Sequence, residues 1–195
     1  MKYNLSEITE VIKNRRSIFP EQFSERKVAK EIIEKLLNNA IWAPTHGMTQ
    51  PWRFKVFFDE GLKNLSDNLS KLYKETTPSE KFQQSKFDNF TNRPLISSAV
   101  IAICMERQDT EKIKEIEEIE AVACAVQNMH LTATAYGLAC YWSTGGATYT
   151  NEMKAFLKLK EKDKCLGFFY IGYPAVEWPK SSRKPIEYVT EWIFG

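Results

Sequence analysis

Residues 121–137 have the length and composition of a helix with almost no polar face. A charged stretch from Glu111 to Glu120 leads into this helix, and Gly137 ends it. Because a helix that is apolar on nearly every side must be covered all round, we expect it at the centre of the fold. Its alanines would let a second helix approach closely. A second copy of the chain is the favoured source of that cover, although the chain's own sheet could also supply it.

The other elements follow from hydrophobic spacing and from turn residues. Ser24 is the expected N-cap of a helix that Pro44 must stop, since proline interrupts helical hydrogen bonding. Residues 76–94 show no clear period, which favours a mobile cover over a site but also fits a surface helix and loop. Further helices are predicted over 6–14, 62–72, 111–137 and 151–159, and strands over 54–58, 95–105, 139–142 and 167–171.

Charge and composition exclude several classes of protein. The 27 basic and 25 acidic residues give a net charge of +2 without a basic run, so nucleic acid is not an expected partner. The most apolar stretch, Leu95 to Met105, is about half the ~20 residues of a spanning helix, so no membrane association is expected. No secretory signal is visible, and we expect a cytoplasmic protein. The cysteines stand singly in apolar segments, which predicts buried thiols and no metal site: Cys104, Cys124, Cys140 and Cys165.

Common catalytic signatures are missing from the chain. There is no G-x-S-x-G, H-E-x-x-H or P-loop motif, and no G-x-G-x-x-G fingerprint of a Rossmann dehydrogenase. The notable residues are basic and aromatic instead of nucleophilic. This composition is typical of a protein that binds a cofactor and leaves the chemistry to it.

Two segments could form a binding site. Arg15, Arg16 and Ser17 can donate hydrogen bonds to a phosphate, although such a triplet also fits a solvated helix end. Residues 43–54 form a loop between prolines that carries His46 and Gln50, suited to a planar polar ligand. His130, inside the apolar helix, is predicted to be a core histidine with a hydrogen-bond partner.

These blocks, taken in order, resemble the nitroreductase family. The Arg-Arg-Ser triplet, the later Q-P-W and the G-Y-P near the end carry the resemblance, and A-P-T-H at 43–46 matches a short branch of that family. The resemblance implies one α+β domain over residues 1–195, with a mostly antiparallel central sheet flanked by helices. It also implies an intertwined homodimer with flavin mononucleotide (FMN) bound at the subunit interface.

The resemblance also implies roles for individual residues. Arg15, Arg16 and Ser17 would contact the flavin phosphate, ribityl chain or pyrimidine edge, while Trp42 and His46 would approach from the other subunit. His46 is also a candidate proton donor. The remaining expected cofactor-binding residues are Gln50, Trp142, Ser143, Thr144, Gly145, Arg183 and Lys184.

Two departures from the family pattern concern flavin orientation and redox potential. Met48 or Thr49 stands where many members have an asparagine that binds the flavin pyrimidine. Trp42 stands where some close relatives have arginine. We therefore expect backbone amides and His46 to contribute more to flavin orientation in this chain.

The predicted activity is that of an FMN-dependent oxidoreductase. It would take reducing equivalents from NADH or NADPH and pass them to a small aromatic acceptor, such as a nitro compound or quinone, by a ping-pong mechanism. Two alternatives remain at this point. The chain could be a flavin-binding dimer with little turnover, acting as a carrier or sensor, or an anion-binding module that uses Arg15 and Arg16.

Overall fold

A four-stranded antiparallel sheet forms the centre of the computed structural model, which describes residues 2–195. The strands lie in the order β1-β2-β4-β3, and every neighbouring pair is antiparallel. The prediction of a mostly antiparallel central sheet is therefore confirmed. The strands are β1 (Trp52–Phe58), β2 (Ala99–Met105), β3 (Ala139–Ser143) and β4 (Lys164–Gly172).

Helices cover both faces of this sheet, which confirms the α+β class. α2 and α5 pack on one face, and α3 and α6 pack on the other. None of the helices within residues 2–195 is long and apolar enough to cross a lipid bilayer. The helices are α1 (Leu5–Asn14), α2 (Lys30–Ala40), α3 (Glu60–Thr76), α4 (Gln84–Ile96), α5 (Glu115–Ala135) and α6 (Asn151–Phe156).

The apolar helix α5 is covered by the chain's own sheet on one side. Val122, Val126 and Met129 are almost fully buried in the core between α5, α2 and the sheet. Cys124 lies on the opposite side and is exposed, so the expectation that every cysteine is buried is wrong for this residue. α5 begins later than predicted because Glu111 has a positive φ of 50° in a turn.

The predicted N-cap at Ser24 is wrong. The Ser24 backbone N–H donates to the Tyr173 carbonyl at 2.8 Å. Further along, the Val28 N–H donates to the Ser98 hydroxyl at 3.1 Å. These long-range bonds hold the segment extended, so α2 begins only at Lys30, and Ala29 occupies the N-cap position.

Candidate functional site

The structure brings the Arg-Arg-Ser triplet to the free edge of the sheet. Ser17 forms an isolated parallel bridge with Cys140 of β3, and the Ile18 N–H donates to the Cys140 carbonyl at 3.0 Å. The fully buried Ile18 side chain anchors this contact. Because the bridge is parallel, the triplet lies beside the start of β3, and residues 142–145 follow at the far end of the same edge strand.

Arg15 belongs to a cluster of positive charges at this edge. Burial lowers the pKa of Arg15, and the neighbouring charges of Arg183 and Arg16 lower it further. Within residues 2–195, the Arg15 side chain makes no hydrogen bond and no ion pair. Arg183 thus lies near Arg15, although the two are far apart in sequence. The cluster has the charge and the free donors that a phosphate group requires.

Arg16 plays a different part from its neighbour. Its guanidinium donates to the carbonyl of Pro179 at 2.7 Å and to that of Lys13 at 2.6 Å. The indole N–H of Trp178 also donates to the Asn14 carbonyl at 2.6 Å. These bonds fasten the C-terminal segment at residues 178–179 against the end of α1, a few residues before Arg183. Trp178 gave no recognisable signal in the sequence.

His130 forms a hydrogen bond with the backbone of the triplet. Its Nε2 lies 2.8 Å from the carbonyl oxygen of Arg16, and burial lowers the pKa of His130 to about 4. The imidazole is therefore neutral at pH 7, and Nε2 carries the proton because a carbonyl can only accept. The prediction of a core histidine with a hydrogen-bond partner is confirmed, and that partner is the backbone of the candidate site.

A cavity of about 380 Å³ opens beside residues 143–145. Its volume lies in the usual range for small-ligand sites. Phe90 and Arg93 of α4 are among its lining residues, so part of the segment 76–94 borders this cavity. Gly145 has a φ of 105°, and a Cβ placed on it would meet no atom within 4 Å, so its backbone is open to a ligand.

The segment 142–145 is held from behind by β4. The Trp142 indole N–H donates to the Leu166 carbonyl at 3.1 Å, which directs this ring toward the core. Gly167 has a φ of 123°, and a Cβ there would lie 2.5 Å from the Ser143 carbonyl oxygen. Only glycine permits this approach. Sequence analysis missed this contact, for which a glycine inside an aromatic strand is the available signal.

The loop that carries Trp42, His46 and Gln50 lies elsewhere in the chain. His46 Nδ1 contacts the Glu117 carboxylate near the start of α5, whereas the triplet contacts His130 of the same helix. Glu117 and His130 are 13 residues apart in α5, or about 20 Å along the helix axis. One chain therefore separates His46 from the triplet, whereas Trp42 follows Asn39, whose side-chain amide donates to Thr132 near His130.

The side chains of this loop point outward. Trp42 is 83% exposed, and His46 and Gln50 are also exposed. Lys184 is exposed as well, and its ammonium lies 5.5 Å from the centre of the Tyr188 ring. The loop residues are thus free to contact another molecule. Glu117, which orients His46, gave no signal in the sequence.

Comparison with known proteins identifies the fold and the family. The Nitroreductase family model matches residues 12–173. The chain is 26% identical over 182 residues to "Putative NAD(P)H nitroreductase YfhC" of Bacillus subtilis, covering 93% of this chain and 91% of that protein. A nitroreductase-like family protein from Bacillus cereus, solved by crystallography, is 30% identical with a TM-score of 0.84, covering 100% of this chain and 99% of that one.

A second crystal structure shares the fold at lower identity. The FMN-dependent nitroreductase NfnB from Mycobacterium smegmatis, solved in complex with NADPH, has a TM-score of 0.74 at 18% identity, covering 97% of this chain and 99% of that one. The family predicted from the sequence motifs is thus confirmed. Since the family model matches most of its length, this chain belongs to the nitroreductase family.

Proposed function

We propose that this protein is an FMN-dependent oxidoreductase that passes reducing equivalents from NADH or NADPH to nitroaromatic, quinone or related acceptors. The general class and the cofactors agree with the family: the Bacillus subtilis relative is named an NAD(P)H nitroreductase, and NfnB is FMN-dependent and was solved with NADPH. The acceptors and the ping-pong order are our proposal. One pocket that serves donor and acceptor in turn would give such kinetics.

The arginine cluster is the observation that carries the proposal. Arg15 stands among like charges without a carboxylate partner in residues 2–195, which is unfavourable unless an anion binds there. A phosphate group would accept hydrogen bonds from Arg15, Arg183 and the Ser17 hydroxyl. In this arrangement Arg16 and His130 hold the backbone and the C-terminal segment in position.

The cavity beside residues 143–145 suits the ring end of the cofactor. Backbone groups of Ser143, Thr144 and Gly145 would lie along the isoalloxazine, and Arg93, which is ion-paired with Glu21, also lines the cavity. When bound there, FMN would accept reducing equivalents from the nicotinamide and deliver them to the acceptor. The protein contributes binding, orientation and exclusion of water.

We further propose a homodimer in which the second chain completes each site. Within one chain His46 contacts Glu117, about 20 Å along α5 from His130 and the triplet, so we propose that His46 reaches the ring from a partner, together with Trp42 and Gln50 of the same loop. The exposed Trp42 side chain supports this arrangement. His46, oriented by Glu117, would contact the flavin and is the proposed proton donor.

Replacing Arg15 tests the phosphate site. Loss of one charge-assisted hydrogen bond to phosphate costs about 1.5–3 kcal/mol, so Arg15→Gln should weaken FMN binding about 10- to 100-fold. Lys74→Gln on α3 removes the same charge from an exposed position and should leave binding unchanged. The measurement is quenching of flavin fluorescence on titration with protein. Equal affinities for the two variants would contradict the phosphate assignment.

Steady-state oxidation of NADPH with a quinone acceptor then separates the enzyme from a carrier. We expect parallel lines in double-reciprocal plots, as a ping-pong mechanism gives. FMN binding without nucleotide oxidation would instead favour the flavin-binding dimer with little turnover.

A further inference from the structure

Two buried cysteines face each other across the centre of the sheet. Cys104 of β2 lies directly opposite Cys165 of β4 in the antiparallel register. Both are free thiols, 0% and 2% exposed respectively. Both side chains belong to the core between the sheet, α3 and α6, so they lie on the same face.

The backbone geometry at this pair is compatible with a disulfide. Directly opposite residues of antiparallel strands have Cα atoms about 4.5–5.5 Å apart, and disulfides span about 4.4–6.8 Å. The register also shifts here, because Ile103 lies opposite Gly167, which leaves Leu166 as an extra residue. Such a bulge gives β4 the freedom to bring the two sulfurs into bonding distance.

Cys165, although only 2% exposed, lines a cavity of about 320 Å³, and Cys104 is not among the residues that line it. Lys154 and Lys164 also line this cavity, where Lys164 is paired with Glu115. The neighbouring Cys104 thiol lowers the pKa of Cys165, while Cys165 and burial raise the pKa of Cys104. Because Cys165 is also the member of the pair that lines the cavity, attack on an oxidant begins at Cys165.

We propose that Cys104 and Cys165 form an oxidisable dithiol, a modification site for small hydroperoxides. The Cys165 sulfur attacks one peroxide oxygen: an S–O bond forms, the O–O bond breaks, and the other oxygen leaves as hydroxide or alkoxide, which takes up the proton that the Cys165 thiol released. The Cys104 sulfur then attacks the sulfenic acid: an S–S bond forms, and the S–O bond breaks. The Cys104 proton leaves with the hydroxide as water, and two thiols are oxidised as one peroxide is reduced. The site does not depend on flavin binding.

The other two cysteines supply the controls. Cys124 is exposed on α5, and Cys140 is buried in β3 opposite Ile171. Neither one faces a second cysteine in the sheet register of the described chain. The variant Cys124→Ser/Cys140→Ala therefore leaves only the proposed dithiol.

Hydrogen peroxide is the probe for the test. The double variant is exposed to peroxide, denatured and alkylated with N-ethylmaleimide, and its intact mass is measured. We expect two adducts before oxidation, none after it, and recovery of both with dithiothreitol. In Cys104→Ser the reaction should stop at Cys165 sulfenic acid, which dimedone traps.

Three outcomes would overturn the proposal. These are two adducts after peroxide, oxidation of Cys165 to sulfinic acid without a link, and a disulfide that joins two chains. If the variants fail to fold, peptide mapping of oxidised wild-type protein tests the same proposal. A linked peptide pair containing Cys104 and Cys165 supports the dithiol, and its absence contradicts it.

Discussion

Replacing Gly167 by alanine tests how the segment 142–145 is held in place. The residue has a φ of 123°, a conformation that L side chains rarely adopt. An added Cβ would lie 2.5 Å from the Ser143 carbonyl oxygen and 2.7 Å from the Trp142 indole nitrogen. The Ser143 carbonyl belongs to the backbone of β3, which is paired with β4. It therefore cannot move away from the new Cβ without displacing the segment 142–145.

Two costs add in this variant. A φ of 123° lies outside the left-handed α region, and such a backbone conformation costs an alanine about 1–3 kcal/mol. A normal carbon–oxygen contact is about 3.3 Å, so the Ser143 carbonyl must move by nearly 1 Å, and overpacking of this kind costs about 1–3 kcal/mol. We therefore expect Gly167→Ala to lower the free energy of unfolding by about 2–6 kcal/mol, a large part of the usual 5–15 kcal/mol.

Gly137→Ala is the matched control. Gly137 also has a positive φ, 68°, but a Cβ placed there meets no atom within 4 Å. This variant should lose only the conformational term of about 1–2 kcal/mol. The assay is urea unfolding followed by tryptophan fluorescence, with the free energies of the two variants compared.

FMN affinity provides the second measurement on the same pair. In the Gly167→Ala variant, displacement of the segment 142–145 should weaken FMN binding about tenfold. The Gly137→Ala variant should bind FMN as tightly as the wild type does. Equal losses of stability in the two variants would refute the contact argument. A destabilised Gly167→Ala with wild-type FMN affinity would show that the segment does not hold the flavin.

The other predictions concern residues that support the site. His130 has a pKa of about 4 in the folded chain and 6.5 as a free group, so the unfolded chain takes up its proton first as the pH falls. Unfolding experiments should show a loss of about 2 kcal/mol between pH 7.5 and pH 5, and His130→Gln, which keeps a donor, should remove that loss. Glu117→Gln should lower kcat/KM about two- to fivefold in NADPH oxidation without changing FMN affinity, and should have no effect when His46 is already alanine. Trp178→Phe should lower the free energy of unfolding by about 1 kcal/mol and weaken FMN binding, as measured by urea unfolding and flavin fluorescence.

The sheet and the amphipathic helix α3 could be predicted because their signals are local. Leu65 and Leu69 are almost fully buried, as their helical spacing indicated. The β-branched centre of β2 is buried along its full length, as a central strand requires. In both elements a short run of sequence determines which side chains face the core.

What sequence analysis missed depends on contacts between distant residues. Ser24 fits the pattern of an N-cap, but backbone pairing with Tyr173 holds it extended. The support that His130 gives to Arg16 joins residues 114 positions apart. The contact of Gly167 with Ser143 likewise arises only when β3 and β4 pair.

The same distinction between local signals and long-range contacts applies to the candidate site. The motifs indicated which residues could bind a flavin, and the structure placed Arg15, Arg183 and the segment 142–145 on one side of the molecule. The position of His46 at the other end of α5 could not be predicted from spacing, because it depends on how the loop packs against the helix.

A crystal structure of the protein with FMN tests the central claim most directly. Our account predicts the phosphate on Arg15 and Arg183, and the ring between residues 143–145 of one chain and Trp42 and His46 of a second chain. FMN held entirely within one chain, or a phosphate bound away from Arg15, would contradict it.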